Sequence, residues 1–220
     1  MNTLWSGSAR KLKGNCKMHC FFVSLQGNPW GQEKEETLRE AQEALRWIEE
    51  QARSYDVDVK FDLICHNPDG DVVIENLPEL NADKSWRFEM TEAVADLLGY
   101  TSFDELYEAI REEEVNSHYL FLIHEQSRSY MFNIPVLHKD QFVEGNMVFL
   151  EKTIGRVSSM MIAHETLHAY SAQDLYDVMG NEEGASAMKR VADRFPEEVM
   201  MKYQNEVESC ELSEFTAFLI

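Results

Sequence analysis

An α+β domain is the fold class that the sequence predicts, and three observations predict it. An apolar run at residues 19–25, a helical repeat over 32–53 and an alternating pattern from 57 to 63 follow one another directly. That order describes a parallel strand pair joined by a right-handed helical crossover. Short strand-like segments recur between residues 119 and 150, and the last third reads as mainly helical. The expected architecture is a mixed, twisted sheet with a long backing helix and a mainly helical C-terminal lobe.

Each element has its own signal. Residues 1–17 are polar and basic (Arg10, Lys11, Lys13, Lys17) and are expected to form a flexible tail ahead of a single domain over 18–220. Phe21, Phe22 and Val23 make the first strand one that is buried on both faces. Leu38, Ala41, Leu45 and Ile48 recur at helical spacing among Glu and Lys, giving an amphipathic helix. Val57, Val59, Phe61 and Leu63 alternate with Asp58, Lys60 and Asp62, giving a half-buried strand. Asn67-Pro68-Asp69-Gly70 is a turn, and 72–74 a short strand. Residues 86–98 form a helix stopped at Gly99, and Ser102-Phe103-Asp104-Glu105 is a capping-box opening for the next. Residues 119–123 are the strongest buried strand of the second half, and 130–134 and 147–150 are hairpin-like strand candidates. Helices are expected over 181–192, ending before Pro196, and over 211–220.

Composition bounds the function. Apolar content of 44% and aromatic content of 11% are those of a folded globule. Forty acidic residues against twenty basic ones give a net charge of −20, which disfavours binding to nucleic acid or anionic lipid. Four cysteines (Cys16, Cys20, Cys65, Cys210) are too few for a disulfide framework. No apolar run has the length of a signal peptide or a membrane span, so the cytoplasm is the expected compartment.

The chemistry is concentrated in His164-Glu165-Thr166-Leu167-His168-Ala169-Tyr170-Ser171-Ala172-Gln173-Asp174. On a helix, His164 and His168 stand one turn apart on the same face, so both rings reach one ion. Catalytic zinc takes three protein ligands and keeps one position open. Asp174, six residues beyond the second histidine, is the candidate for the third. Glu182 and Glu183 are runners-up. Glu165 lies one step round the helix, placed to hold a water on the ion. Val157, Met160, Met161, Ala163 and Leu167 mark the same helix as core-facing. His118, His124 and His138 are not expected to be ligands.

This stretch resembles the extended zinc motif of the metzincin metallopeptidases, H-E-x-x-H-x-x-G-x-x-H, in the variant whose last ligand is Asp. It is also similar to a motif, HExLHxFGAxDLY, of bacterial proteins. The resemblance implies His164, His168 and Asp174 as ligands of Zn2+ and Glu165 as general base, on an active-site helix at the junction of an N-terminal lobe (18–172) and a C-terminal lobe (173–220). It implies a methionine turn beneath the metal, at Met200 or alternatively Met179, and a tyrosine near it, Tyr203, that reaches the oxyanion. The family begins with a similar strand–helix–strand unit. Its sheet edge pairs with an extended peptide, and here that edge falls on the 130 or the 147 segment. The helical pair at 84–114 is more than the family's minimal plan contains and is expected as an inserted scaffold. Where the family has glycine this chain has Ser171. That glycine often adopts positive φ, where a non-glycine residue costs roughly 1–2 kcal/mol.

The functional expectation is a zinc-dependent endopeptidase acting on protein or peptide substrates, without nucleic acid or membrane partners. A binding or regulatory protein on the same scaffold is the rival, and a fourth ligand from Asp177 or Glu182 would favour it. A non-peptidase zinc hydrolase is the other alternative, since H-E-x-x-H fixes the device that activates water and not the bond that is cut.

Overall fold

The computed structural model of the protein describes residues 11–25, 27–74, 86–113, 115–136, 141–175, 189–201 and 206–220. The chain is α+β, with a mixed sheet of six strands. Its order is β2–β1–β4–β6–β5, where β1 is Gly14–Leu25, β2 Val59–Cys65, β4 Asn116–Gln126, β5 Tyr130–Val136 and β6 Gln141–Leu150. A short β3 (Val72–Ile74) extends the β2 side: Val23 of β1 pairs with Val72 on one flank and with Ile123 of β4 on the other. All of these pairings are parallel except β5 with β6.

The crossover expected at the start is present. Helix α1 (Glu33–Ser54) joins β1 to the parallel β2, with Glu33, Glu35 and Glu36 in its first turn and Arg53 in its last, the signs that favour its dipole. Strand β1 begins at Gly14, five residues before the apolar run and inside the expected tail. Gly14 and Asn15 are exposed, yet their backbones pair with Val59 and Lys60. Ladder hydrogen bonds need no apolar side chain, so the hydrophobic pattern undercounts a strand whose end faces solvent.

The sheet is covered on both faces. Cys16, Met18, Cys20 and Phe22 of β1 face one core, shared with α1 and with α4 (Ser159–Ala169). Phe21, Val23 and Leu25 face the other, closed by Trp86 and Met90 of α2 (Trp86–Leu97) and by Phe103 and Leu106 of α3 (Phe103–Ile110). The α2–α3 pair is therefore scaffold that buries the second face of the sheet. Gly99, at φ +83°, ends α2 as expected. Ser102 caps α3 by accepting from Glu105 N at 3.3 Å, but the Glu105 carboxylate returns to Thr101 N rather than to Ser102 N.

β5 and β6 form the expected hairpin, with Tyr130 opposite Met147. Of the two, the 130 segment is the edge among the described residues, because the 147 segment is enclosed between β4 and β5. Beyond α4, residues 189–194 are helical, Val207–Ser209 is a 3₁₀ turn, and α5 (Glu214–Leu219) is capped by Ser213. The first part of the expected 181–192 helix lies outside the described residues. Val199, Met200, Val207 and Leu212 join the core of α1 and α4, so the C-terminal segment and the sheet share one interior. No helix among the described residues is long and apolar enough to cross a membrane.

Two histidines of the sheet, His19 and His118, are almost fully buried. Burial, reinforced by neighbouring positive charge, pushes both pKa values down to about 4. The unfolded chain binds these protons from about pH 6.5 downward, so in the window between that and about 4 it holds more protons than the folded chain. The stability contributed by the neutral rings is complete above the window and is lost as pH falls through it. Urea unfolding should therefore give a lower midpoint near pH 5 than at neutrality. His19→Gln should flatten that difference.

Candidate metal centre

The helix that carries the motif is built into the interior. Ser158 caps α4 by accepting from Met161 N at 3.2 Å, and the Glu40 carboxylate of α1 accepts from Ser159 N at 2.7 Å. Glu40 is also paired with Arg156. A carboxylate at this end complements the helix dipole. Every α4 residue except His168 is buried. The far end is anchored by Tyr170, whose buried hydroxyl lies 2.6 Å from His118 Nε2 on β4 and 3.3 Å from Cys16 Sγ on β1.

The helix is then reversed by a Schellman turn. Ala172 N donates to Leu167 O at 3.1 Å and Ser171 N to His168 O at 2.9 Å. Ser171 takes φ +80°, a left-handed conformation that glycine adopts without strain. The chain so reversed brings Asp174 back over the histidine face of the helix. Asp174 Oδ1 lies 3.1 Å from His164 Nε2 and 3.2 Å from His168 Nε2, and the two Nε2 atoms are 3.1 Å apart. The three residues expected as ligands are therefore brought together, with their ligand atoms all within 4.8 Å of one another.

Hydrogen bonds on the other side of each ring fix the chemistry of this group. His164 Nδ1 lies 3.0 Å from Val199 O and His168 Nδ1 lies 2.8 Å from Ala172 O. A carbonyl only accepts, so each Nδ1 donates, and a neutral ring then carries a lone pair on Nε2. Two such lone pairs and a carboxylate oxygen point at one place. Asp174 Oδ1 is buried, and its approach to the two rings does not have hydrogen-bond geometry. Three acceptors crowded together repel unless a cation lies among them, and imidazole with carboxylate is a donor set suited to a divalent transition metal. The same field acts on protons. Burial opposes charge on His164, but Asp174, Glu165 and the Val199 carbonyl outweigh it and raise its pKa. Burial likewise opposes ionisation of Asp174, yet the two histidines hold its carboxyl below the usual carboxylate range.

Glu165 is 4% exposed, and its Oε2 has no hydrogen-bond partner among the described residues. Burial raises its pKa against the opposing pull of His164 and His168. Beside Glu165 and His164 opens a cavity of ≈ 540 Å³, walled by Met160, Met161 and Met201 and flanked by Arg128, Glu151 and Lys152. Arg128 also adds favourable potential at Glu165. Nothing in the spacing around Arg128 singles it out, since it reaches the site from the β4–β5 loop. The carbonyls of Val199 and Ala172 have no side-chain signature at all.

Met200 is fully buried, and its carbonyl accepts from Leu175 N at 3.0 Å, one residue past Asp174. With Val199 holding His164, the turn at 195–201 supports both ends of the ligand set. A bridge from Glu198 to Glu211 secures that turn, with Val199 N donating to Glu211 O at 2.9 Å. Met179, Tyr203, Asp177, Glu182, Glu183 and His138 lie outside the described residues.

Comparison of the chain with protein-family models and with curated proteins finds no match.

Two outcomes test the centre. Ser171→Gly should relieve the left-handed strain and raise unfolding free energy by about 1 kcal/mol, read by urea denaturation. Adding Zn2+ should raise the thermal midpoint of the parent, and His168→Ala should abolish that rise, read by differential scanning fluorimetry.

Proposed function

We propose that the protein is a zinc-dependent metalloendopeptidase of metzincin-like type, acting on protein or peptide substrates. The observation that carries this reading is the convergence of two imidazole Nε2 atoms and one carboxylate oxygen beside a buried glutamate and an open cavity. His164, His168 and Asp174 would hold the ion. When bound, zinc supplies Lewis acidity that brings the pKa of a water at its open position toward neutrality and polarises a carbonyl.

The remaining steps fall to this chain's own residues. Glu165 accepts the proton of the attacking water at its buried Oε2, which has no partner among the described residues, and delivers it to the leaving amine. Its desolvation makes it a stronger base than an exposed glutamate. The Nδ1 hydrogen bonds to Val199 O and Ala172 O keep both imidazoles oriented and, in the neutral rings, leave the lone pair on Nε2. β5, as the sheet edge, offers backbone donors and acceptors to an extended substrate without demanding a sequence. The methionine-walled cavity accepts a side chain next to the scissile bond, and flexible thioether walls suit more than one shape.

A group of these three ligands would leave one coordination position for water, as catalytic zinc sites do. Glu165→Gln should keep one zinc per chain by metal analysis and lose almost all cleavage of a proteome-derived peptide library. A Gln variant that cuts as fast as the parent would sink the mechanism.

A further inference from the structure

Two thiols outside the metal-ligating group are arranged for chemistry of their own. Cys20 and Cys65 are direct register partners in the parallel β1–β2 ladder. Neighbouring strands stand about 4.8 Å apart, within the Cα separation that a disulfide spans. Register partners in a parallel pair project to the same face, and here Cys20 lies in the core shared with α1 while Cys65 packs against that same core. Both are free. From this geometry we infer that Cys20 and Cys65 form a peroxide-sensitive dithiol, which closes to a disulfide between β1 and β2.

The two sulfurs are not equivalent. Cys20 is 0% exposed, whereas Cys65 is half-buried at the end of β2, so a dissolved oxidant meets Cys65 first. The hydrogen bond from Cys20 lowers the Cys65 pKa to about 7, with help from Asn67 N–H and Lys34 and against burial and Asp69. Lys34 is held in place near this thiol, since its amine donates to Gly70 O at 2.9 Å and pairs with Asp71 at 2.7 Å. Burial drives Cys20 the other way, so it keeps its proton and remains the donor. An accessible, thiolate-prone cysteine beside a protonated, sheltered one is the division between an attacking and a resolving thiol.

The reaction balances with one hydrogen peroxide. Cys65 thiolate attacks a peroxide oxygen, the O–O bond breaks, hydroxide leaves, and Cys65 is oxidised to the sulfenic acid. Cys20 sulfur then attacks Cys65 sulfur and the S–O bond breaks. The departing hydroxide takes the Cys20 proton as water. Two thiols and one peroxide give one disulfide and two waters. The new bond closes the chain from 20 to 65 around α1, which restricts the unfolded state and raises the thermal midpoint. This inference is independent of the peptidase reading.

The test treats reduced, full-chain protein with hydrogen peroxide, blocks remaining thiols by alkylation and maps the peptides by mass spectrometry. The expected product is a Cys20–Cys65 linked peptide pair that dithiothreitol separates. In Cys20→Ser, Cys65 should accumulate as a sulfenic acid trapped by dimedone, and in Cys65→Ser, Cys20 should stay a thiol. The proposal is overturned if, in the parent, Cys65 advances to sulfinic acid while Cys20 stays reduced. It is equally overturned if both remain thiols, or if either bridges to Cys16 or Cys210. Should a serine variant fail to fold, the parent map alone decides.

Discussion

The left-handed turn at Ser171 is the constraint on which the candidate centre depends. A helix can present two histidines to one point, but it cannot supply a third ligand from the same face without leaving its own axis. The Schellman turn does this in three residues, and its Ala172 carbonyl simultaneously holds His168 Nδ1. Chain reversal, ring orientation and the arrival of Asp174 are thus one structural event. Its cost is a non-glycine residue at φ +80°, which persists because the surrounding interior over-determines it.

That over-determination comes from the packing of α4. The helix packs against α1 and against β6, its start tied to Glu40 and its end to His118 and Cys16 through Tyr170. A helix buried nearly all round has little amphipathic stripe to anchor it, so these polar ties at both ends set its position. They place His164 and Glu165, a titratable pair that is costly to desolvate, in the wall of a cavity. The turn carrying Val199 and Met200 completes the frame from below, fastened by the Glu198–Glu211 bridge.

Much of this was legible before any tertiary information. The apolar run at 19–25 and the alternation from 57 onward announced a parallel crossover, because burial of one or both faces writes itself into side-chain periodicity. Strand residues 14 and 15 were not legible, since they are exposed and contribute backbone pairing without apolar area. β5 and β6 carry similar patterns, so the sequence does not say which is the sheet edge, and only pairing with β4 separates them.

By itself the sequence determined the α+β class, the helix that bears the motif, and the residue types that converge at its end. Those properties are local: spacing on a helix and the alternation of a strand need no distant partner. Tertiary structure alone decided that Asp174 reaches the two imidazoles, that Val199 and Ala172 carbonyls set their tautomers, and that Arg128 and Met201 border the cavity. It also decided that Cys20 meets Cys65. Each of these joins segments separated along the chain or uses a backbone group. A backbone carbonyl is identical in every residue, so only the folded path says which one matters.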